Sequence, residues 1–168
     1  MRTCTFFGHS DLELSELERN DIELLLDKMI TTDGYEMFLF GGLGRFDEIC
    51  WEIVTKLKAK HPHIRRVFCL TDPKHEYAPK RPRYLKDDEY DEFVYLPLKF
   101  DWWYKRIYFR NCEMIDRSDF VIFYVYKSNR SGSYKALEYA IKKKKEFKNF
   151  AEDKLSNLTG NVENDDLT

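Results

Sequence analysis

Short apolar runs alternate with longer amphipathic stretches along most of the chain. Residues 3–7 (TCTFF), 36–40 (EMFLF), 64–70 (IRRVFCL) and 92–96 are runs of strand length. The run at 119–126 (DFVIFYVY) is almost wholly apolar and rich in aromatic and β-branched residues. A continuous run of that kind marks a strand covered on both faces, as in a parallel sheet. Between the runs the period changes. Leu14, Leu17, Leu25 and Met29 lie among charges in residues 11–30, which predicts an amphipathic helix. Ile49, Ile53, Val54 and Leu57 recur at helical spacing after the second run. With Asp101 as N-cap, residues 102–116 place Trp103, Tyr104, Ile107, Tyr108, Met114 and Ile115 on one broad stripe. Tyr134, Leu137 and Ile141 mark a last helix, whose negative C-terminal end falls beside Lys142 to Lys145. Residues 147–150 read as a short edge strand. The alternation predicts one α/β domain, with a mostly parallel sheet of about five strands and helices on both faces.

Composition narrows this picture. The 168 residues suit one domain, over residues 1–154, and the 43% hydrophobic content is enough for its core. From about residue 155 the chain (LSNLTGNVENDDLT) is polar and reads as a flexible tail over 155–168. The formal net charge of -2 gives no global field for nucleic acid or an acidic membrane. Residues 71–86 are basic and carry Pro73, Pro79 and Pro82, as a surface excursion or a lid would. Their lysines and arginines, interleaved with Tyr77 and Tyr84, raise the question of nucleic acid. Acidic residues 87–91 follow at once, and nucleic acid is set aside as a partner on that ground. Cys4, Cys50, Cys69 and Cys112 lack CxxC or Cys/His spacing, so free thiols in a reducing compartment are expected. His61 and His63 flank a proline without ligand spacing, and neither a metal nor a cofactor is indicated. No apolar stretch approaches the ~18–20 residues of a membrane span. A soluble cytoplasmic protein without a membrane partner is the expectation.

The candidate chemistry sits where predicted strands end. Gly8, His9 and Ser10 follow the first strand, where glycine permits close backbone approach. His9 could touch a phosphate or act as acid or base; a plain exposed loop histidine is the alternative. Gly41, Gly42 and Gly44 follow the second strand and precede a helix, which makes them the better phosphate-loop candidate. The match to GxGxxG is incomplete, so dinucleotide binding does not follow. Asp47 and Glu48 suit the helix dipole, or else a ribose contact or general acid/base work. The small-residue turn 128–133 (SNRSGS) is the third loop. On the 102–116 helix, Asn111 is a polar amide within the apolar stripe and needs hydrogen-bond partners. Arg110 either pairs with Glu113 on a solvated flank, as Arg117 would, or faces a ligand with Asn111. Both readings stand.

These residues, taken together, resemble the YpsA-like branch of the SLOG superfamily, a Rossmann-like group that also includes the LOG phosphoribohydrolases and the DprA/Smf proteins. The resemblance rests on TCTFFGHS at 3–10, GGLGRFD at 41–47, RNCEMIDRSD at 110–119 and SGSYKALEYA at 131–140, and covers roughly residues 3–140. It implies a Rossmann-like three-layer domain that places a nucleotide or nucleotide-derived molecule along the C-terminal ends of the strands. The implied contacts are Gly8, His9, Gly41, Gly42, Gly44, Phe46, Asp47, Arg110, Asn111, Ser131, Gly132 and Ser133. By likeness to the LOG enzymes, Arg110 and Glu138 would support cleavage between base and ribose phosphate. The chain departs from the YpsA-like opening segment at Ser10, where the branch has Arg. It departs from the LOG motif at Ser131, where LOG has glycine, and at Tyr134-Lys135, where LOG has Gly-Thr. The departures from the LOG motif favour binding over hydrolysis.

Three readings of function follow. The leading one is a nucleotide-ligand binder using loops that begin at Gly8, Gly41 and Ser131, with Arg110 and Asn111. The second is a nucleotide N-glycosidic-bond hydrolase in which Glu138 or Glu48 stabilises an oxocarbenium-like centre and Arg110 holds the phosphate. The third is an interaction module. Self-association through a Trp102–Trp103 patch is open in each.

Overall fold

The computed structural model describes residues 1–71, 88–96 and 102–151. Its elements are β1 (Arg2–Gly8), α1 (Glu16–Thr31), β2 (Tyr35–Phe40), α2 (Arg45–Lys60), β3 (Arg65–Leu70), β4 (Glu92–Tyr95), α3 (Trp103–Asp116), β5 (Phe120–Tyr124), α4 (Gly132–Lys142) and β6 (Glu146–Asn149). The strands form one six-stranded sheet in the order β4-β3-β2-β1-β5-β6. Every pairing is parallel. Six strands stand where about five were expected, and the short edge run read at 147–150 is β6, paired with β5 along its outer edge.

The apolar runs alternate sides as the pleat requires. Phe6, Phe38, Phe40 and Ile122 face α1 and α2, where Ile22, Leu26, Ile49, Ile53 and Leu57 close the core. Phe7, Leu39, Val67, Val121 and Phe123 face α3 and α4, against Met114, Ile115, Ala136, Leu137 and Ala140. The result is a three-layer, Rossmann-like α/β domain.

Helix boundaries differ from the periodic reading for local reasons. Helix α1 starts at Glu16, not residue 11, because Ser15 and Glu18 form a reciprocal capping box. Its buried stripe is Ile22, Leu26, Met29 and Ile30, and Leu17 is 77% exposed. Helix α3 has Trp102 as N-cap, without a side-chain cap bond. The proposed cap Asp101 lies outside the described residues, as do the basic stretch 72–87 and the tail from 152. Tyr104 and Ile141 are exposed, so the buried stripes of α3 and α4 are narrower than expected. No helix of the described residues is long and apolar enough to cross a membrane.

The strand order places the site. Strands β1 to β4 are laid down in one direction, and the chain then returns across the sheet to set β5 beside β1. Between β1 and β5 the loops leave in opposite directions and open a crevice at the C-terminal edge, where α/β sheets take ligands.

Candidate functional site

A cleft of about 290 Å³ occupies this switch point. Its walls come from chain segments far apart in sequence. The β1 end contributes Gly8 and Ser10, and the β2–α2 loop contributes Gly41, Leu43, Gly44 and Asp47. Helix α3 brings Ile107, Arg110 and Asn111, and the start of α4 brings Ser131, Gly132 and Ser133.

Arg110 is turned inward and only 7% exposed, as is Asn111. Its Nη1 donates to the Gly41 carbonyl at 2.8 Å and its Nη2 reaches Asn111 Oδ1 at 3.4 Å. A bare backbone at Gly41 makes this possible: a Cβ there would lie 2.6 Å from Nη2. Of the two readings for this flank, Glu113 pairs with Arg117 at 2.9 Å, while Arg110 lines the cleft. A guanidinium held at the wall of a cleft is a strong site for phosphate or carboxylate.

The glycine loop after β2 departs from the phosphate-loop picture. Gly41 N–H donates to Asp47 Oδ1 at 3.0 Å and Gly42 N–H to Asp47 Oδ2 at 3.1 Å. The anion those amides meet is the protein's own carboxylate, presented from the first turn of α2. Burial pushes the Asp47 carboxyl up to about 6, against the opposing pull of both amides and of Arg110. Arg110 grips the same loop from its carbonyl side, so Gly41 is clamped by opposite charges.

The loop after β5 is organised by hydroxyls. Ser131 caps α4, its Oγ accepting from Tyr134 N–H at 3.3 Å. Ser133 Oγ donates to the Gly8 carbonyl at 2.5 Å, which ties α4 to the end of β1. His9 Nε2 accepts from Tyr126 N–H at 2.9 Å. The ring proton therefore sits on Nδ1 and points at Ser131 Oγ, 3.2 Å away. Burial lowers the His9 pKa, partly offset by Asp11, which keeps this imidazole neutral. His9 lies beside the cleft and fastens the β1, β5 and α4 ends together.

Other candidates fall elsewhere. Phe46 is fully buried beneath Gly8, whose added Cβ would come within 2.4 Å of its ring, so it belongs to the core. Glu138 is exposed on α4 and lines a groove against α3, with Tyr108 and Tyr139, that adjoins the cleft at Ile107, Asn111 and Gly132. Glu48 pairs with Arg45 at 3.1 Å and does not line the cleft. Among the described residues lining the cleft, Asp47 supplies the carboxyl. Sequence reasoning gave no site role to Leu43 and Ile107, which line the cleft. Ile107 lies one turn before Asn111, so i, i+4 spacing could have flagged it.

The architecture and the crevice define a Rossmann-like α/β chain with a small cleft at its switch point. No family model matches the sequence, and no curated protein matches it. Among solved structures, one similar fold is DNA processing protein A from Helicobacter pylori, known for its single-stranded DNA binding mode. The TM-score is 0.51 at 17% identity, over 87% of this chain and 63% of that one. The Moco carrier protein of Chlamydomonas reinhardtii is similar with a TM-score of 0.50 at 18% identity, over 94% of this chain and 83% of that one. The present chain thus spans less than two thirds of the DNA processing protein. At these identities the likeness is one of fold, and it agrees with the SLOG-type resemblance at the level of architecture.

One expectation is corrected by this comparison. Nucleic acid was set aside on net charge and on the acidic residues 87–91, yet a protein of the same fold binds single-stranded DNA. Strand binding depends on local groove charge and stacking surfaces, which net charge does not measure. The basic stretch itself lies outside the described residues.

Proposed function

We propose that this chain binds a nucleotide or nucleotide-derived molecule in the β1/β5 cleft, as a YpsA-like member of the SLOG superfamily. The observation that carries the reading is the buried guanidinium of Arg110 in a small cleft, flanked by Asn111 and the hydroxyls at the start of α4. A phosphate oxygen accepting from Arg110 would have the Ser131–Ser133 turn and the N-terminal end of α4 on its other side, a favourable place for negative charge. Binding is favoured over N-glycosidic hydrolysis because neither carboxylate the hydrolytic reading needs lines the cleft itself: Glu138 sits on the adjoining α3–α4 groove, and Glu48 is held in an ion pair with Arg45. The fold shared with DNA processing protein A brings single-stranded DNA into the same test, since its nucleotides carry the same chemistry.

The test is a thermal-shift screen with nucleoside mono-, di- and triphosphates, ADP-ribose and a short single-stranded oligonucleotide. A ligand at 100 times its dissociation constant adds about 2.7 kcal/mol to stability. The expected result is a saturable shift that Arg110→Met, which keeps the bulk of the stem, reduces on the order of 100-fold in affinity. No shift with any probe, in folded protein, would overturn the reading. Release of free base from a bound nucleotide would restore the hydrolytic one.

A further inference from the structure

A second groove adjoins the cleft across the Gly44–Asp47 ridge. It measures about 650 Å³ and shares Ser10, Gly44 and Asp47 with the cleft. Its character differs. The floor is aromatic, from Trp51, Phe68 and Tyr90, and the rim carries Glu48 and Glu89. The rings brace one another: Tyr90 lies 4.9 Å from Phe68 and 6.2 Å from Trp51 between centroids. Trp51 is fixed by its indole N–H, which donates to the Glu89 carbonyl at 2.9 Å. The basic group of the groove, Arg45, is met by carboxylates of Glu13, Glu48 and Glu52 within 3.6 Å.

Volume and charge divide the two compartments. At about 290 Å³ the cleft is less than half the size of the 650 Å³ groove beside it and holds the Arg110 guanidinium, which places it for the phosphate and sugar. The carboxylates of the neighbouring groove repel phosphate, whereas its half-buried indole and phenol offer flat surface to a neutral ring. Trp51 and Asp47 stand one turn apart on α2, so the aromatic wall begins where the clamp on the glycine loop ends.

From this we infer that the Trp51–Tyr90 groove is a base subsite. It takes the neutral nitrogen heteroaromatic ring of a nucleotide whose phosphate lies at Arg110, with the sugar crossing the ridge at Gly44 and Asp47. The inference deepens the proposed function and rests on the Arg110 cleft as the phosphate side. It also fixes the direction in which the ligand lies: phosphate toward β5 and α4, base toward β3.

Calorimetric titration of the whole chain with adenosine monophosphate and with ribose 5-phosphate tests it. The nucleotide should bind at least about 10-fold tighter than the sugar phosphate, the effect of one base–aromatic stack. Trp51→Leu should remove that advantage and leave ribose 5-phosphate affinity unchanged, and Trp51→Phe should restore part of it. Retained ribose 5-phosphate binding shows that the variants are folded. Tyr90→Leu provides a second probe that leaves the indole bond in place. Equal affinities for the two ligands in the wild type, or nucleotide binding indifferent to both leucine variants, would overturn the base subsite alone. Failure of both ligands to bind the wild type would overturn the Arg110 reading and this inference with it.

Discussion

Two loops at the same sheet edge solve the same local problem in opposite ways. The β2–α2 loop has three glycines and looks built for an incoming phosphate, yet the Gly41 and Gly42 amides are already bound to Asp47. The β5–α4 loop has one glycine between two serines. It is tied by those hydroxyls, through Ser131 to Tyr134 N–H and through Ser133 to Gly8, and lies opposite Arg110 across the cleft. Glycine content therefore reports how closely other groups approach the backbone. In the first loop those groups are Arg110 beside Gly41, Phe68 beside Gly42 and Ser10 beside Gly44, and with the Asp47 bonds they make it a wall. The second loop is where the account places the ligand's charge.

Substitutions can break this contrast or sharpen it. The largest effect is expected at Gly41→Ala, whose Cβ would lie 2.6 Å from Arg110 Nη2. Overpacking there should cost about 1–3 kcal/mol in urea unfolding and shift Arg110 enough to weaken ligand binding. Next comes Asp47→Asn, read as stability against pH. Because the folded Asp47 carboxyl is raised to about 6 from 3.8, the folded protein holds that proton more tightly than the unfolded chain. The wild type should lose stability as pH rises from about 4 to 6, and the Asn variant should lack that contribution. The slope is the readout, since Asn also gives up one of the two amide acceptors. A smaller effect is expected at Ser131→Ala, which removes the α4 cap and the acceptor facing His9. About 1 kcal/mol of stability should be lost. Gly132→Ala should be nearly silent, within ~0.5 kcal/mol, because nothing lies within 4 Å of the added Cβ. A large loss at Gly132 with a small one at Gly41 would reverse the contrast.

The same two loops show how far the sequence could be read. Strands such as 119–126 were legible because burial on both faces leaves an uninterrupted apolar run, and even the four-residue β6 showed as the short edge run at 147–150. The residues of the cleft were legible as types: Arg110, Asn111, Asp47 and the small residues of three loops all meet there. Their roles were harder to read. Nothing in the local pattern tells whether Asp47 turns to solvent or back onto the Gly41 amide, since that depends on a turn six residues earlier being within reach. Glu138 could not be assigned from spacing, because the face it presents is set by how α4 packs Ala136 and Ala140 against the sheet. The Trp51 groove escaped notice because its rings come from α2, β3 and the segment before β4, which only the parallel register brings together.

Amide hydrogen exchange with and without bound adenosine monophosphate tests the contrast most directly. The account predicts that the ligand slows exchange at residues 131–134 and leaves Gly41 and Gly42, whose N–H groups already bond to Asp47, unchanged. New protection at Gly41 and Gly42 with none at 131–134 would contradict it, and would return the glycine loop to the role its sequence suggested.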